Sequence, residues 1–176
     1  VGVQTIILMA GIFGSKELGL ETTELIAAIL LVQFVAIGGA AIFSKISKKK
    51  GNIFALKLTI LVWMLVCFSA FMLSKDQENV NLYFYGLGGL IGLVMGAIQS
   101  LSRSTYSKML PETEDHATYF SFYDVTEKIA IVIGMITFGV LISLTGSMQW
   151  SVLCLAIFFL ASFVVMSTLK KTKYVQ

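Results

Sequence analysis

The sequence is short of charge. Asp, Glu, Lys and Arg supply 13% of its 176 residues, where a soluble domain carries about 25%. Hydrophobic residues rise to 57%, from about 45–50% in soluble domains. So few polar side chains cannot cover a folded surface in water; hydrocarbon can, and an ordinary water-soluble domain is excluded. Proline is nearly absent: Pro111 stands alone, in a polar stretch. The apolar stretches therefore lack proline kinks, and glycine is left to supply whatever flexibility they have. Cysteine is scarce too. Cys67 and Cys154 lie far apart inside apolar stretches without companion histidines, so neither a metal site nor a disulfide is expected. The one histidine, His116, follows the acidic run Glu112-Thr-Glu114-Asp115 and reads as solvated or as part of a helix cap. There is no Gly-x-Ser-x-Gly elbow and no glycine-rich phosphate loop with a lysine. No catalytic residue, cofactor or metal is expected, and no enzymatic activity. The net charge is +3, with no basic run interleaved with aromatics, so a nucleic-acid partner has no support.

What the sequence does have is long apolar runs. At roughly 20 residues per membrane-spanning helix plus short connections, the chain has room for five or six. Five stretches read as full spans: Thr23–Phe43, Ile53–Leu73, Leu82–Ser102, Tyr119–Ser143 and Gln149–Leu169. Polar punctuation separates them at Ser44–Asn52, Ser74–Asn81, Arg103–Thr118 and Leu144–Ser147. Val1–Gly14 is apolar but short, about 21 Å as a helix. It reads as a spanning helix whose earlier turns are missing; the competing reading is a re-entrant or interfacial segment. The expected fold is all-α, a polytopic membrane helix bundle in which residues 1–176 form a single six-helix domain.

Orientation follows from the basic residues of the short connections. Lys45, Lys48, Lys49, Lys50, Arg103, Lys108, Lys170, Lys171 and Lys173 fall on one side if each of the five spans crosses once. Only Lys16 and Lys75, each beside acids, fall on the other. The lysine-rich face and the C-terminus are expected in the cytoplasm, with the chain resident in a bacterial cytoplasmic membrane.

Gly88, Gly92 and Gly96 recur every fourth residue in the third full span. Small residues at that spacing let two backbones approach, replacing the hydrophobic drive that lipid cannot supply. Ala130 and Gly134 repeat the spacing on the next span. Ionisable residues inside spans are costly and therefore functional candidates. Asp124, Glu127 and Lys128 open the fourth span at i, i+3 and i+4, on one helix face. They read either as a self-neutralising cluster at the headgroups, with Lys128 snorkelling, or as a gate or proton relay at the inner mouth of a polar pathway. In the second reading Arg103, at the end of the preceding span, pairs with an acid of the fourth. Gln4, Gln33 and Gln99 are amides within apolar sequence on three helices; a buried amide needs partners, either another helix or a solute. Tyr123 is a further pathway candidate, though an interfacial aromatic belt explains it equally well.

At this point the chain resembles a known family. The N-terminal stretch, with Val1-Gly-Val-Gln-Thr, Gly14-Ser-Lys-Glu-Leu-Gly-Leu20 and Leu30-Leu-Val-Gln-Phe-Val-Ala36, carries the first part of the likeness. Gln99-Ser-Leu-Ser-Arg-Ser104, Leu110-Pro111, Phe120-Ser-Phe-Tyr-Asp-Val125 and Lys128 carry the second. Together they resemble the vacuole-effluxer-like, or "unknown major facilitator", branch of the major facilitator superfamily, over nearly the whole chain. The resemblance implies the C-terminal half of a twelve-helix transporter, helices seven to twelve, built of two inverted three-helix repeats. The implied partners are the lipid bilayer, a missing N-terminal six-helix half and a small polar solute, an amino acid being the first expectation, with proton coupling as the expected drive. One signature departs from the superfamily: its Gly-x-x-x-Asp-Arg-x-Gly between helices eight and nine reads Ser44-Lys-Ile-Ser-Lys48-Lys-Lys-Gly51 here. Lys48 stands where the Asp is expected, which leaves a latch built on that Asp in doubt and the lysines free to anchor on anionic lipid. The alternative to a transporter half is a stand-alone six-helix protein acting as an oligomeric channel or scaffold.

Overall fold

In hydrocarbon each backbone N–H and C=O must find its partner within the segment, so apolar runs of this length become helices. The computed structural model describes residues 2–73, 78–110 and 115–168. They form α1 (Gly2–Ile12), a π-helical turn (Phe13–Glu17), α2 (Thr22–Lys50), α3 (Asn52–Met72), α4 (Val80–Met109), α5 (His116–Thr145) and α6 (Met148–Thr168), with no strand among the described residues. The five helices α2 to α6 are each long and apolar enough to cross a membrane. Their outward faces carry Phe34, Ile37 and Leu144 at 74%, 72% and 77% exposure amid many other exposed apolar side chains. A soluble monomer does not present such a surface. The fold is an all-α polytopic membrane helix bundle.

Two connections expected from the polar punctuation are largely helix. α2 continues through Ser44–Asn52 as far as Lys50, leaving only Gly51 before α3, and α4 continues past Arg103 to Met109. At 29 and 30 residues these helices extend about 43–45 Å, well beyond about 30 Å of hydrocarbon. Hydropathy marks where lipid ends, whereas the backbone stays helical because lysine and serine tolerate a helix and cations suit its C-terminal dipole. The N-terminal piece likewise runs on: α1 passes into the π turn, so helical backbone reaches Glu17. Pro111, Glu112, Glu114, Lys75, Asp76 and the tail lysines lie outside the described residues.

Local signals set the helix ends. The Glu24 carboxylate accepts from the Glu21 backbone N–H at 2.9 Å, opening α2. Gly51 takes φ +90° at the α2–α3 corner, a conformation a side chain rarely adopts. Asp115 caps α5 by accepting from the Thr118 N–H at 3.2 Å, and these hydrogen bonds to Thr118 hold its carboxyl below the usual carboxylate range.

The centre of the bundle is α3 and α4, which each bury nine residues. Trp63 is fully buried and stacks on Phe159 of α6, centroids 5.7 Å apart and planes within 3°. Its indole N–H is a buried donor with no acceptor among the described residues.

α2 and α4 form the closest helix pair. A Cβ added to Gly39 would lie 2.0 Å from the Leu93 carbonyl oxygen, and one on Gly92 would lie 2.7 Å from that of Val32. Gly96 would meet the Ala36 carbonyl at 3.1 Å and Gly88 the Val32 side chain at 3.4 Å, whereas Gly86 faces open space. The stripe Gly88–Gly92–Gly96 therefore lies along α2, and the tightest point is contributed from α2 itself by Gly39. Both ends of the pair are tied by side chains: the Asn81 amide donates to the Glu24 carboxylate at one end, and at the other Asn52, the first residue of α3, bridges Ser47 of α2 to Ser104 and Thr105 of α4.

The remaining contacts follow one pattern. Besides α2 with α4, the packed pairs are α3 with α6, α3 with α4, α5 with α6, α2 with α3, α1 with α5 and α1 with α6. Exchanging α1–α3 for α4–α6 maps this set onto itself. The contacts thus divide the helices into two three-helix units of matching pattern.

Two stability predictions follow from this packing. Gly39→Ala and Gly92→Ala should each destabilise the detergent-solubilised protein by about 1–3 kcal/mol, since backbone must shift to admit the methyl. Gly86→Ala and Gly38→Ala, with open space around them, should be neutral or stabilising by up to about 1 kcal/mol. Equal loss at all four positions in thermal unfolding would refute close packing as the cause. Trp63→Phe, which removes the orphan donor, should cost less than about 1.5 kcal/mol, against about 3–5 kcal/mol for Trp63→Ala; similar losses for the two would contradict the packing described.

Candidate functional site: a charged cleft at the lysine-rich end

The C-terminal ends of α2 and α4 and the N-terminal ends of α1, α3 and α5 gather at the lysine-rich end of the bundle. There α1, α3, α4, α5 and α6 enclose a cleft of about 560 Å³. Its polar lining comes from Gln4, Gln99, Ser102, Tyr123, Glu127 and Ser162, and its floor from Ile60, Phe158 and Phe159. Helical spacing explains the lining: Gln99 and Ser102 are three apart on α4, and Tyr123 and Glu127 four apart on α5, so each pair shares a face.

One cation meets two carboxylates at the cleft mouth. Arg103 Nη2 donates to Asp124 Oδ1 at 3.0 Å and lies 3.7 Å from Glu127 Oε2. Glu127 also accepts from Gln4 Nε2 at 3.2 Å, which joins α1 to the group. The guanidinium sits 5.8 Å from the Tyr123 ring, and Tyr106 packs on that ring at 4.9 Å while its hydroxyl donates to the Tyr119 carbonyl at 2.9 Å. Side-chain exposure is 56% for Arg103, 54% for Asp124 and 28% for Glu127. Two carboxylates against one guanidinium leave this trio with a net charge of −1, and Glu127 is the more enclosed of the two acids.

Between these side chains the backbones stay apart: α4 and α5 are not among the closely packed pairs. The ion pair and the tyrosine contacts are what bridge the two helices at this end.

The structure groups the sequence candidates unevenly. Gln4, Gln99, Tyr123 and Glu127 line one cleft, with Arg103 and Asp124 at its mouth. Gln33 does not join them; it borders a separate cavity of about 350 Å³ lined mostly by apolar side chains, among them Phe13, Phe84, Met95 and Phe138. Lys128 is exposed and makes no ion pair with Asp124 or Glu127 within 4 Å. The i, i+4 neutralisation open to Asp124 is thus not used. Its carboxylate turns to the guanidinium fork across the cleft, which offers several donors in fixed geometry where lysine offers a flexible point charge.

Three features lie beyond the sequence reading. Lys57, one turn into α3, is a half-buried ionisable residue within a span. Ser102 lines the cleft, and its spacing from Gln99 is the signal that could have found it. Asn52, expected in a polar connection, is 3% exposed and bonded to two other helices.

Comparison with known proteins accords with this architecture. The family model described as vacuole effluxer Atg22-like matches residues 1–175. The chain is 31% identical to an uncharacterized MFS-type transporter, YxiO, of Bacillus subtilis, over 94% of this chain and 37% of that protein. It is 27% identical to autophagy-related protein 22 of Vanderwaltozyma polyspora, over 85% of this chain and 30% of that protein. The corresponding protein of Eremothecium gossypii is 24% identical, over 95% and 34%. The chain thus spans about a third of the length of the curated relatives it matches. No solved structure is significantly similar to it. With its family model covering almost every residue, the chain belongs to the vacuole effluxer Atg22-like family of major-facilitator-type proteins.

Proposed function

We propose that this chain is the C-terminal six-helix part of a secondary transporter that moves a small polar solute by alternating access, with an amino acid as the first candidate. In this reading the lysine-rich end faces the cytoplasm, the cleft of Gln4, Gln99, Tyr123 and Glu127 forms the inner stretch of the solute path, and Arg103 with Asp124 and Glu127 forms its gate. The path is completed by an N-terminal half, and a proton supplies the drive. The observation that carries the proposal is the ion pair from Arg103 to Asp124, spanning two helices whose backbones stay apart at the mouth of a polar cleft. The names of the relatives, effluxer and MFS-type transporter, support the same reading.

The strength of the pair suits a gate. Exposed ion pairs contribute about 0.2–1 kcal/mol, a bias of roughly fivefold between open and closed at most.

Full-length protein in proteoliposomes, screened over amino acids with and without a pH gradient, tests the reading. Asp124→Asn and Arg103→Gln should each slow solute movement about three- to fivefold while membrane insertion stays intact. Wild-type rates in both variants would end the gate assignment, and no movement of any solute by the unmodified protein would favour the scaffold alternative. Topology has its own check. Lys49→Cys and Lys108→Cys should both react with an impermeant thiol reagent from the cytoplasmic side, and Glu78→Cys only from the other. Labelling of the Lys49→Cys and Lys108→Cys variants from opposite sides would overturn the orientation.

A further inference from the structure

Asn52 opens α3 directly after the Gly51 corner, and it is 3% exposed. Its amide is fully used. Oδ1 accepts from the Ser47 hydroxyl of α2 at 2.5 Å and from Lys108 Nζ of α4 at 3.3 Å. Nδ2 donates to Ser104 Oγ at 3.1 Å and to Thr105 Oγ1 at 3.3 Å, both of α4. Two lone pairs and two hydrogens are the whole capacity of a carboxamide. The orientation of the amide follows from its neighbours: Lys108 can only donate, and the Thr105 hydroxyl proton is already committed to the Leu101 carbonyl at 2.6 Å. The group facing Thr105 must therefore be a donor, a requirement that an aspartate at this place would not meet.

Ser104 and Thr105 immediately follow Arg103. On a helix they lie about 100° and 200° round from it. A side chain that grips both fixes the rotation of the last turns of α4 and with it the direction in which Arg103 projects. This matters because α5 does not close on α4 through backbone packing. The contacts described there between α4 and α5 are those of side chains: the Arg103 pair and its approach to the Tyr123 ring, and the packing of Tyr106.

We infer that Asn52 is a positioning residue for the Arg103 gate: it clamps the α2–α3 corner to Ser104 and Thr105 and so aims Arg103 across the cleft at Asp124 and Glu127. The inference rests on the gate reading, and a double-mutant cycle in the full-length protein separates the two. Initial solute uptake is measured for the unmodified protein, Asn52→Ala, Arg103→Gln and the double variant. Asn52→Ala should slow uptake about three- to fivefold, and the double variant should be no slower than Arg103→Gln alone, because both remove the same bridge. Losses that multiply in the double variant overturn the positioning role while leaving the gate standing. An Arg103→Gln rate equal to that of the unmodified protein overturns the gate and this inference with it. If Asn52→Ala fails to insert, Ser104→Ala combined with Thr105→Val takes its place in the cycle and is read the same way. Lys108→Met provides the contrast: it leaves the two amide donors in place, so its uptake should stay within about twofold of the unmodified protein. A loss as large as that of Asn52→Ala would place the effect on the Lys108 charge and count against the positioning role.

Discussion

Lipid offers helices no hydrophobic reason to associate, since its tails are as apolar as leucine. Backbone-to-backbone approach has to replace it, and in this molecule that approach is concentrated where α2 crosses α4. Gly39 and Gly92 leave so little room that an added methyl would overlap a carbonyl of the facing helix. Side-chain bonds then close both ends of the pair, Asn81 to Glu24 directly at one and, at the other, through Asn52 of α3, which links Ser47 of α2 to Ser104 and Thr105 of α4. The α2–α4 pair is held along its length as a single post. α3 lies against both helices, and α6 attaches to α3.

The contact pattern repeats between the two three-helix units, but the side-chain bonds across corresponding pairs differ. The partner of α2–α4 under the exchange is α5–α1. Across that pair Gln4 donates to Glu127. α5 buries only Gly134 and Phe138. The bond across α1–α5 joins two residues that line the cleft, whereas Asn81 and Glu24 of the α2–α4 pair lie outside it.

Much of this is legible in the sequence, and the parts that are not share a cause. The spans, the glycine stripe of α4 and the pairing of Arg103 with an acid of α5 all follow from composition and helical spacing, which are local properties. The ends of α2 and α4 are not, because hydropathy records the edge of the lipid while the helix continues for about two turns into the polar zone. Asn52 is hidden for the same reason. As part of a loop, a polar residue after glycine is ordinary; placed at the foot of a helix pressed on two others, it is a buried amide that must be satisfied. Gly39 has no partner at four-residue spacing on its own helix, and its meaning comes from Leu93 across the interface. The separation of Gln33 from Gln4 and Gln99 is equally beyond the sequence, since three amides in three spans could meet or not depending on rotations that only packing sets.

The corner between α2 and α3 brings these points together. A carboxylate in the extended lysine run, at Lys48, would lie on a turn of α2 beside the exposed Lys49 and Lys50 and would be screened by water. The group that holds the corner instead lies four residues later, uncharged and buried, with each hydrogen-bonding position taken by a residue of α2 or α4. A neutral amide avoids the cost of burying a charge yet remains directional, so it can fix a helix rotation where a screened ion pair could not. Rigidity at this corner and looseness at the Arg103 pair are then complementary requirements: a weak, exposed bridge can act as a gate only if the helix that carries it is held in a defined orientation by something stronger.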